Sequence, residues 1–204
     1  MKLYYAPAAC SLAPHIALSE AGLPYELVRV DLRTHTLPDA SDYAAVNPKG
    51  YVPVLELDDG TRLTEAAVIL QYVADRNPGT LAPAFGSFER YRMMEWLNFI
   101  ATELHKGFGP LWKPTTPAEY KAVVIETLGK RFDLIAPVLA AQPYLTGERF
   151  TIADAYLYTI VNWAGILKVD IAKWPALGQY LARVAARPGV QQALREEHLL
   201  KAAA

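Results

Sequence analysis

The chain has 204 residues, of which 52% are hydrophobic, and its 20 basic and 21 acidic residues give a net charge of −1. This length and apolar content suffice for one large globular domain or two small ones. The balanced charge argues against nucleic-acid binding, and no segment is long and apolar enough to predict a membrane span.

The first part of the chain alternates between strand and helix patterns. Residues 2–6 (KLYYA) are short and aromatic, as expected of a strand, and residues 11–22 follow with apolar positions at helical spacing. Residues 25–32 alternate as a half-buried strand does. Residues 41–46 then predict a short helix.

Two further strands, 52–57 and 61–65, flank an Asp-Gly turn, which is a strong hairpin signal. A helix over 66–79 ends at Asn-Pro-Gly. The predicted order is therefore β-α-β-α-β-β-α. A helix between strands implies parallel pairing, and the hairpin adds an antiparallel strand.

From about residue 87 the pattern becomes helical. The predicted helices cover 87–109, 117–141, 151–167 and 174–186. The segment TLAPAFGS at 80–87 is rich in proline, glycine and small residues, as domain linkers are. We predict an α/β domain over 1–80, a linker over 81–86 and an all-helical domain over 87–204.

The helical part contains one clear capping signal. In GERFTIADAYL, Thr151 is followed three residues later by Asp154, the spacing of a capping box. Asp in place of Glu or Gln is a variant of that motif. We expect Asp154 to have a structural role, and a catalytic role is the less favoured alternative.

Cys10, the only cysteine, lies at the start of the first predicted helix. Backbone N–H groups and the helix dipole favour an anion there, which lowers the pKa of a thiol. A buried structural cysteine is the alternative. Because no second cysteine follows, a thiol partner must come from outside, and glutathione is the obvious small one. A single cysteine also predicts a reducing, cytoplasmic location, and the first ten residues lack a signal-peptide pattern.

Two stretches fit an extended peptide ligand. In PKGYVPVL, at 48–55, a cis Val52–Pro53 bond would leave the backbone of Val52 to pair with a peptide. The alternative is a trans proline that begins an edge strand. In LTEAAVILQY, Glu65 can accept from a cationic amine while the helix amides bind a carboxylate, or it can simply complement the helix dipole.

Together these stretches resemble the glutathione transferases. The segments APAACSLAPH, NPKGYVPVL and LTEAAVILQYVAD are similar to the thioredoxin-like N-terminal domain of that family. EWLNFIATELHKGF and GERFTIADAYL are similar to its helical C-terminal domain. The similarity covers nearly the whole chain in the right order. A cysteine at position 10 resembles the bacterial beta class.

The resemblance implies a homodimer with glutathione as co-substrate, no permanently bound cofactor and no metal. Cys10 would lie beside the glutathione sulfur, and Val52, before Pro53, would pair its backbone with the cysteinyl part. Glu65 and Ala66 would hold the γ-glutamyl end. Since the family more often has serine at the second of these positions, one hydrogen bond of about 1 kcal/mol is missing.

The resemblance extends to four further contacts. Asn98, Glu103 and His105 match residues that close the site, with His105 bonded to the Cys10 sulfur and Glu103 reaching the partner subunit's γ-glutamyl group. Without the resemblance, a surface histidine is the simpler interpretation of His105. His35 stands where relatives often carry lysine near the glycine carboxylate, and it loses much of its charge near neutral pH.

The electrophile pocket is expected to have apolar walls. Phe108, Trp112 and Trp163 are the candidates, and each fits equally well as a core residue. Tyr5 is a further candidate and, together with Ser11, a rival hydroxyl donor to the thiol. Tyr5 also fits the alternating face of a strand, and Ser11 fits a helix cap.

The leading functional hypothesis is conjugation of the glutathione thiolate to small hydrophobic electrophiles, as in cytoplasmic detoxification. The expected gain comes from a lowered thiol pKa and from proximity. One rival is thiol transfer, peroxide reduction or reductive dehalogenation through a Cys10–glutathione mixed disulfide. Another is a non-catalytic binding protein on the same scaffold. We expect no nucleic-acid or membrane partner.

Overall fold

The computed structural model describes residues 1–200, and within it the chain forms two compact units. The first unit contains residues 1–81 together with the described residues from Arg187 onward, and the second contains residues 82–186. The division after Leu81 falls at the start of the predicted linker. The segment from Arg187 differs from the prediction, which placed all of 87–204 in the helical domain. Residues 201–204 of that predicted domain lie outside the described residues.

The first unit is built on a four-stranded sheet with the order β2-β1-β3-β4. Its strands are β1 (Lys2–Tyr5), β2 (Glu26–Arg29), β3 (Val54–Glu56) and β4 (Arg62–Thr64). β1 pairs with β2 in parallel and with β3 antiparallel, and β3 and β4 form the predicted hairpin. The thioredoxin-like α/β architecture predicted for this part of the chain is therefore confirmed.

The helices of this unit follow the predicted order, with one difference. α1 (Leu12–Glu20) connects the parallel strands, and α2 (Ala66–Arg76) follows the hairpin. The helix expected between β2 and β3 is a single 3-10 turn, Tyr43–Ala45. Asp42 caps this turn by accepting the Ala44 N–H at 2.8 Å. A proline only three residues beyond the turn limits further helix.

The second unit is helical, as predicted. Its helices are α3 (Phe88–Phe99), α4 (Lys106–Phe108), α5 (Ala118–Ala141), α6 (Ile152–Ile166) and α7 (Pro175–Ala185). A π-helical turn, Ile100–His105, joins α3 to α4. α6 forms the core of the unit, because its residues are buried on nearly every face. Within residues 1–200, no helix combines the length and apolar character needed to cross a membrane.

A last helix, α8 (Pro188–Glu196), lies beyond the predicted helices and packs along α1. At its start, Glu20 forms an ion pair with Arg187 and accepts the Gly189 N–H at 3.2 Å. At its end, carboxylates bond to the buried ring of His15. These contacts with α1 explain why the segment groups with the first unit.

The predicted capping of α6 is confirmed. Asp154 is fully buried, and its Oδ2 accepts the N–H and the hydroxyl of Thr151 at 2.9 and 3.0 Å. Its Oδ1 accepts the Leu145 N–H at 2.9 Å and the Tyr180 hydroxyl at 3.2 Å. The carboxylate therefore ties the start of α6 to the preceding loop and to α7.

We expect Asp154→Ala to lower the free energy of unfolding by about 3 kcal/mol, because buried donors lose their acceptor. Urea denaturation measures this change, and affinity for any ligand should stay within about twofold. The control is Asp170→Ala, which removes an exposed carboxylate that accepts the Ala172 N–H at 2.8 Å. Normal stability with lost binding would contradict the structural role.

The same carboxyl group should make stability depend on pH. Burial raises the pKa of Asp154 to about 6 from the ordinary value of 3.8 for an aspartate. The folded chain thus holds this proton more tightly than the unfolded chain, and stability falls as pH rises from about 4 to about 6. In Asp154→Asn, about 3 kcal/mol of this decline should be absent when unfolding is measured across that range. Equal slopes for the two chains would refute this assignment.

Candidate active site

Cys10 lies in the loop between β1 and α1, where its side chain is partly exposed. Ser11 follows at the N-cap position, so the thiol stands just before the helix, as predicted. The Cys10 S–H donates to the backbone carbonyl of Val52 at 3.2 Å. This contact brings together two of the residues that the sequence singled out separately.

Two hydroxyl groups were rival donors to the thiol. The hydroxyl of Ser11 is buried, where it accepts the Ala6 N–H at 3.1 Å and donates to the Ala6 carbonyl at 3.2 Å. It makes no cap bond to the helix, so it braces the loop instead. Tyr5 is buried, with its ring 6.2 Å from that of His15, and burial raises its pKa. Tyr5 on β1 therefore packs against His15 of α1.

The peptide bond between Val52 and Pro53 is cis, which decides between the two alternatives that the sequence left open. The preceding carbonyl, that of Tyr51, accepts the Tyr43 hydroxyl at 2.8 Å and the Asn47 side-chain amide at 2.7 Å. Burial raises the pKa of Tyr43 to about 12, which keeps its hydroxyl protonated as a donor. The backbone that enters β3 is therefore fixed from two sides.

Glu65 precedes α2 with a φ of +69°, in the left-handed region that is uncommon for residues other than glycine. Its exposed carboxylate accepts the Lys49 ammonium at 2.8 Å, and the same ammonium donates to Thr64 Oγ1 at 3.0 Å. The sequence predicted a cationic amine at Glu65, from a ligand. The structure supplies one from Lys49, which lies in the NPKGYVPVL segment but has no local pattern that would single it out.

The remaining predicted residues of the first unit lie close to these segments. Ala66 is buried and begins α2 directly after Glu65. His35 is exposed, and its ring lies over Gly50, where an added Cβ would be 3.4 Å from the ring. His35 is thereby placed beside the segment that contains Lys49.

In the second unit, His105 ends the π-helical turn. Its Nδ1 lies 2.7 Å from the hydroxyl of Tyr156, and its ring packs edge-on against Trp163 with 5.0 Å between centroids. Extra residues in a helical turn often mark functional sites, because they redirect side chains. His105 is thus held in place by α6 rather than free on a helix surface.

The three predicted pocket walls form one aromatic cluster. Phe108 and Trp112 both pack edge-on against Trp163, with centroid distances of 6.0 and 5.4 Å. Phe108 is fully buried, which fits the core alternative, whereas Trp112 is 44% exposed. Of the three, Trp112 offers the most accessible apolar surface.

Two further predicted residues lie near His105 in sequence. The carboxylate of Glu103 accepts the Arg131 Nε–H at 2.6 Å. Asn98 is exposed on α3, and its backbone carbonyl accepts the Thr102 hydroxyl at 3.0 Å. The ligand contacts expected for Asn98 and Glu103 stay predictions. Among the described residues, no group of His, Cys, Asp and Glu side chains is arranged to hold a metal ion.

The first unit is therefore a thioredoxin-like domain with a thiol at a helix start and a cis proline bond beside it. Comparison with known proteins agrees with this class. The family model described as "Glutathione S-transferase, N-terminal domain" matches residues 9–76, and "Glutathione S-transferase, C-terminal domain" matches residues 99–188. The chain belongs to the glutathione S-transferase family.

Individual relatives cover almost the whole chain. Glutathione S-transferase GstA of Escherichia coli O157:H7 is 50% identical over 201 residues, which are 98% of this chain and 100% of GstA. The ternary complex of BphK, a bacterial transferase, has 52% identity and a TM-score of 0.96, covering 98% and 100% of the two chains. The beta-class enzyme of Sphingomonas chungbukensis has 41% identity and a TM-score of 0.94, with the same coverage. The predicted similarity to the bacterial beta class is confirmed.

Proposed function

We propose that this glutathione transferase binds glutathione along its first unit and conjugates it to small hydrophobic electrophiles. The observation that carries the proposal is the 3.2 Å contact between the Cys10 thiol and the Val52 carbonyl, beside the cis proline bond. A thiol held beside this strand edge, where an extended peptide would pair, supports the proposal.

The γ-glutamyl end of glutathione carries a carboxylate and an ammonium group, and the start of α2 can bind both. The γ-glutamyl carboxylate would accept from the first amides of α2, and its ammonium would pair with Glu65. Because the Lys49 ammonium already bonds to Glu65, ligand binding would release Lys49 or share the carboxylate with it. A released Lys49 is then available to a ligand carboxylate. Ala66 supplies a backbone amide but no hydroxyl.

The thiol contact supports a specific role for Cys10. In the structure, Cys10 donates its S–H to Val52. When the cysteinyl N–H of glutathione pairs with the Val52 carbonyl, the S–H can turn to the glutathione sulfur and stabilise its thiolate. After the glutathione thiol has released its proton to water, the thiolate forms a bond to the electrophilic carbon, and the leaving group departs with the electron pair.

A redox reaction is the second candidate, favoured by the partial exposure of Cys10 at a helix start. The Cys10 thiolate would attack the glutathione sulfur of a glutathionylated substrate and release the substrate thiolate. A second glutathione thiolate would attack the Cys10–glutathione disulfide, which returns Cys10 and yields glutathione disulfide. Both reactions suit a reducing cytoplasm and a role in detoxification.

The two roles of Cys10 separate in a pair of variants. Cys10→Ala loses the donor and the redox sulfur, whereas Cys10→Ser keeps a donor alone. We expect Cys10→Ala to lower kcat/KM for conjugation of an aryl chloride by about tenfold, which is the contribution of one hydrogen bond. In Cys10→Ser, kcat/KM should stay within about threefold of the parent value. Both variants should lose the ability to transfer glutathione from a mixed disulfide between glutathione and a substrate thiol.

Unchanged conjugation in both variants, with thiol transfer lost, would instead assign Cys10 to redox chemistry alone. Binding to immobilised glutathione is the control for a folded site. If the parent chain fails to bind immobilised glutathione, the transferase proposal is wrong and a binding role for other ligands is favoured.

We also propose that the chain forms a homodimer through α3. Phe88, Tyr91 and Met94 are 67%, 56% and 36% exposed, and their spacing of three places them on one side of the helix. Exposed apolar residues on one side of a helix are typical of interaction surfaces, and a second copy offers the same apolar face to a symmetric contact. The contribution of Glu103 to the partner subunit's site stays a prediction.

We expect Phe88→Glu combined with Tyr91→Glu to convert the dimer into a monomer, because two carboxylates would be buried without partners. Sedimentation velocity at micromolar concentration measures the change. Leu134→Glu is the matched control, since Leu134 is a 58% exposed apolar residue on α5. A parent chain that sediments as a monomer would rule out the dimer.

A further inference from the structure

A buried carboxylate connects the end of α8 to the loop that contains Cys10. Glu197 directly follows α8, and its side chain is fully buried. Its Oε2 accepts the backbone N–H of Ala8 at 2.9 Å, and its Oε1 lies 2.9 Å from Nδ1 of His15. A carboxylate buried this deeply needs such partners, because an unpaired one would be costly.

The histidine fixes the direction of this carboxylate. His15 is fully buried on α1, and its Nε2 lies 2.7 Å from the Glu196 carboxylate. Carboxylate oxygens accept hydrogen bonds, so the arrangement is satisfied when both ring nitrogens donate. Glu196 also accepts the Tyr25 hydroxyl at 2.7 Å. The Glu197 carboxylate that binds Ala8 is therefore held in place by its contact with His15 on α1.

The backbone that receives this hydrogen bond has an unusual conformation. Ala8 has a φ of +59°, in the region where residues other than glycine are uncommon. Ser11 holds the loop at Ala6, and Glu197 holds it at Ala8. Cys10 lies between Ala8 and Ser11, so its position before α1 depends on both attachments.

We propose that Glu197 is a positioning residue that holds the Ala8 backbone and thereby sets the reactivity of the Cys10 thiol. None of the predicted site residues lies in this C-terminal segment. The effect on thiol reactivity rests on the contacts above, whereas its consequence for turnover rests on the proposed function.

A charge effect of Glu197 and a positioning effect would shift the pKa of the Cys10 thiol in opposite directions when Glu197 is replaced. The negative charge of Glu197 disfavours a nearby thiolate, so loss of the charge alone would lower the pKa of the thiol. The positioning effect keeps the thiol at the helix start, so loss of the bond to Ala8 would raise that pKa. The direction of the measured shift therefore distinguishes positioning from charge.

Two substitutions separate these effects. Glu197→Asp keeps the charge but shortens the side chain by one methylene, which breaks its reach to Ala8. Glu197→Gln removes the charge but keeps an oxygen at the same reach. The control is Glu20→Asp, which makes the same shortening at the other end of the α1–α8 contact, where Glu20 accepts the Gly189 N–H.

The readout is the rate of Cys10 alkylation by iodoacetamide between pH 5 and pH 10, followed by mass spectrometry of the whole chain. Since Cys10 is the only cysteine, the rate reports on one thiol and requires no glutathione. We expect Glu197→Asp to raise the midpoint of the profile by about half a pH unit, a roughly threefold slower reaction near pH 7. Glu197→Gln and Glu20→Asp should keep the parent midpoint within about 0.2 units.

A lower midpoint in Glu197→Gln, with Glu197→Asp unchanged, would show a charge effect and overturn the proposal. An equal shift in Glu20→Asp would show general loosening of α8 and overturn it as well. If Glu197→Asp does not fold, hydrogen exchange of the Ala8 amide is compared between Glu197→Gln and the parent chain. The proposal requires this amide to exchange as slowly in Glu197→Gln as in the parent, and faster exchange with an unchanged alkylation midpoint would overturn it. Failure of the parent chain to bind immobilised glutathione would reject the proposed function and leave this result intact.

Discussion

The packing of α8 along α1 is the constraint on which the first unit depends. α1 contacts both α2 and α8, and it begins just after the loop that contains Cys10. Its contact with α8 includes the fully buried ring of His15, which is stable only with polar partners. Those partners come from residues 196 and 197, so the last helix is required for the first one to be buried in its present form.

Much of the fold follows from local signals in the sequence. Residues 2–6 and 25–32 have short strand patterns, the Asp-Gly turn specifies the hairpin, and the Thr151–Asp154 spacing specifies the start of α6. Each signal acts within a few residues, which is why a pattern is sufficient. The last helix is different, because Val190, Ala193 and Leu194 form only a short apolar face whose partner lies at the other end of the chain.

The residues of the candidate site also divide into those with a local signal in the sequence and those without one. Cys10 before a helix and Pro53 before a strand are visible in the sequence, because position alone suggests their chemistry. The bond from Lys49 to Glu65 joins residues 16 apart through the fold, and the bond from Glu197 to Ala8 joins residues 189 apart. Side-chain partners of this kind depend on tertiary structure and have no local pattern. Ser11 shows the same limit, since its hydroxyl binds backward to Ala6 rather than forward to the helix.

The position of Glu197 also bears on the order in which the chain is made. During synthesis the residues of β1, α1 and the hairpin emerge before those of α8, and the carboxylate that holds Ala8 lies 189 residues further along the chain. A nascent chain that stops after the second unit therefore contains every strand of the first unit but not the partners of His15. The loop that contains Cys10 reaches its final form only after Glu197 has been synthesised, so a chain that lacks this residue has the cysteine without the bond to Ala8.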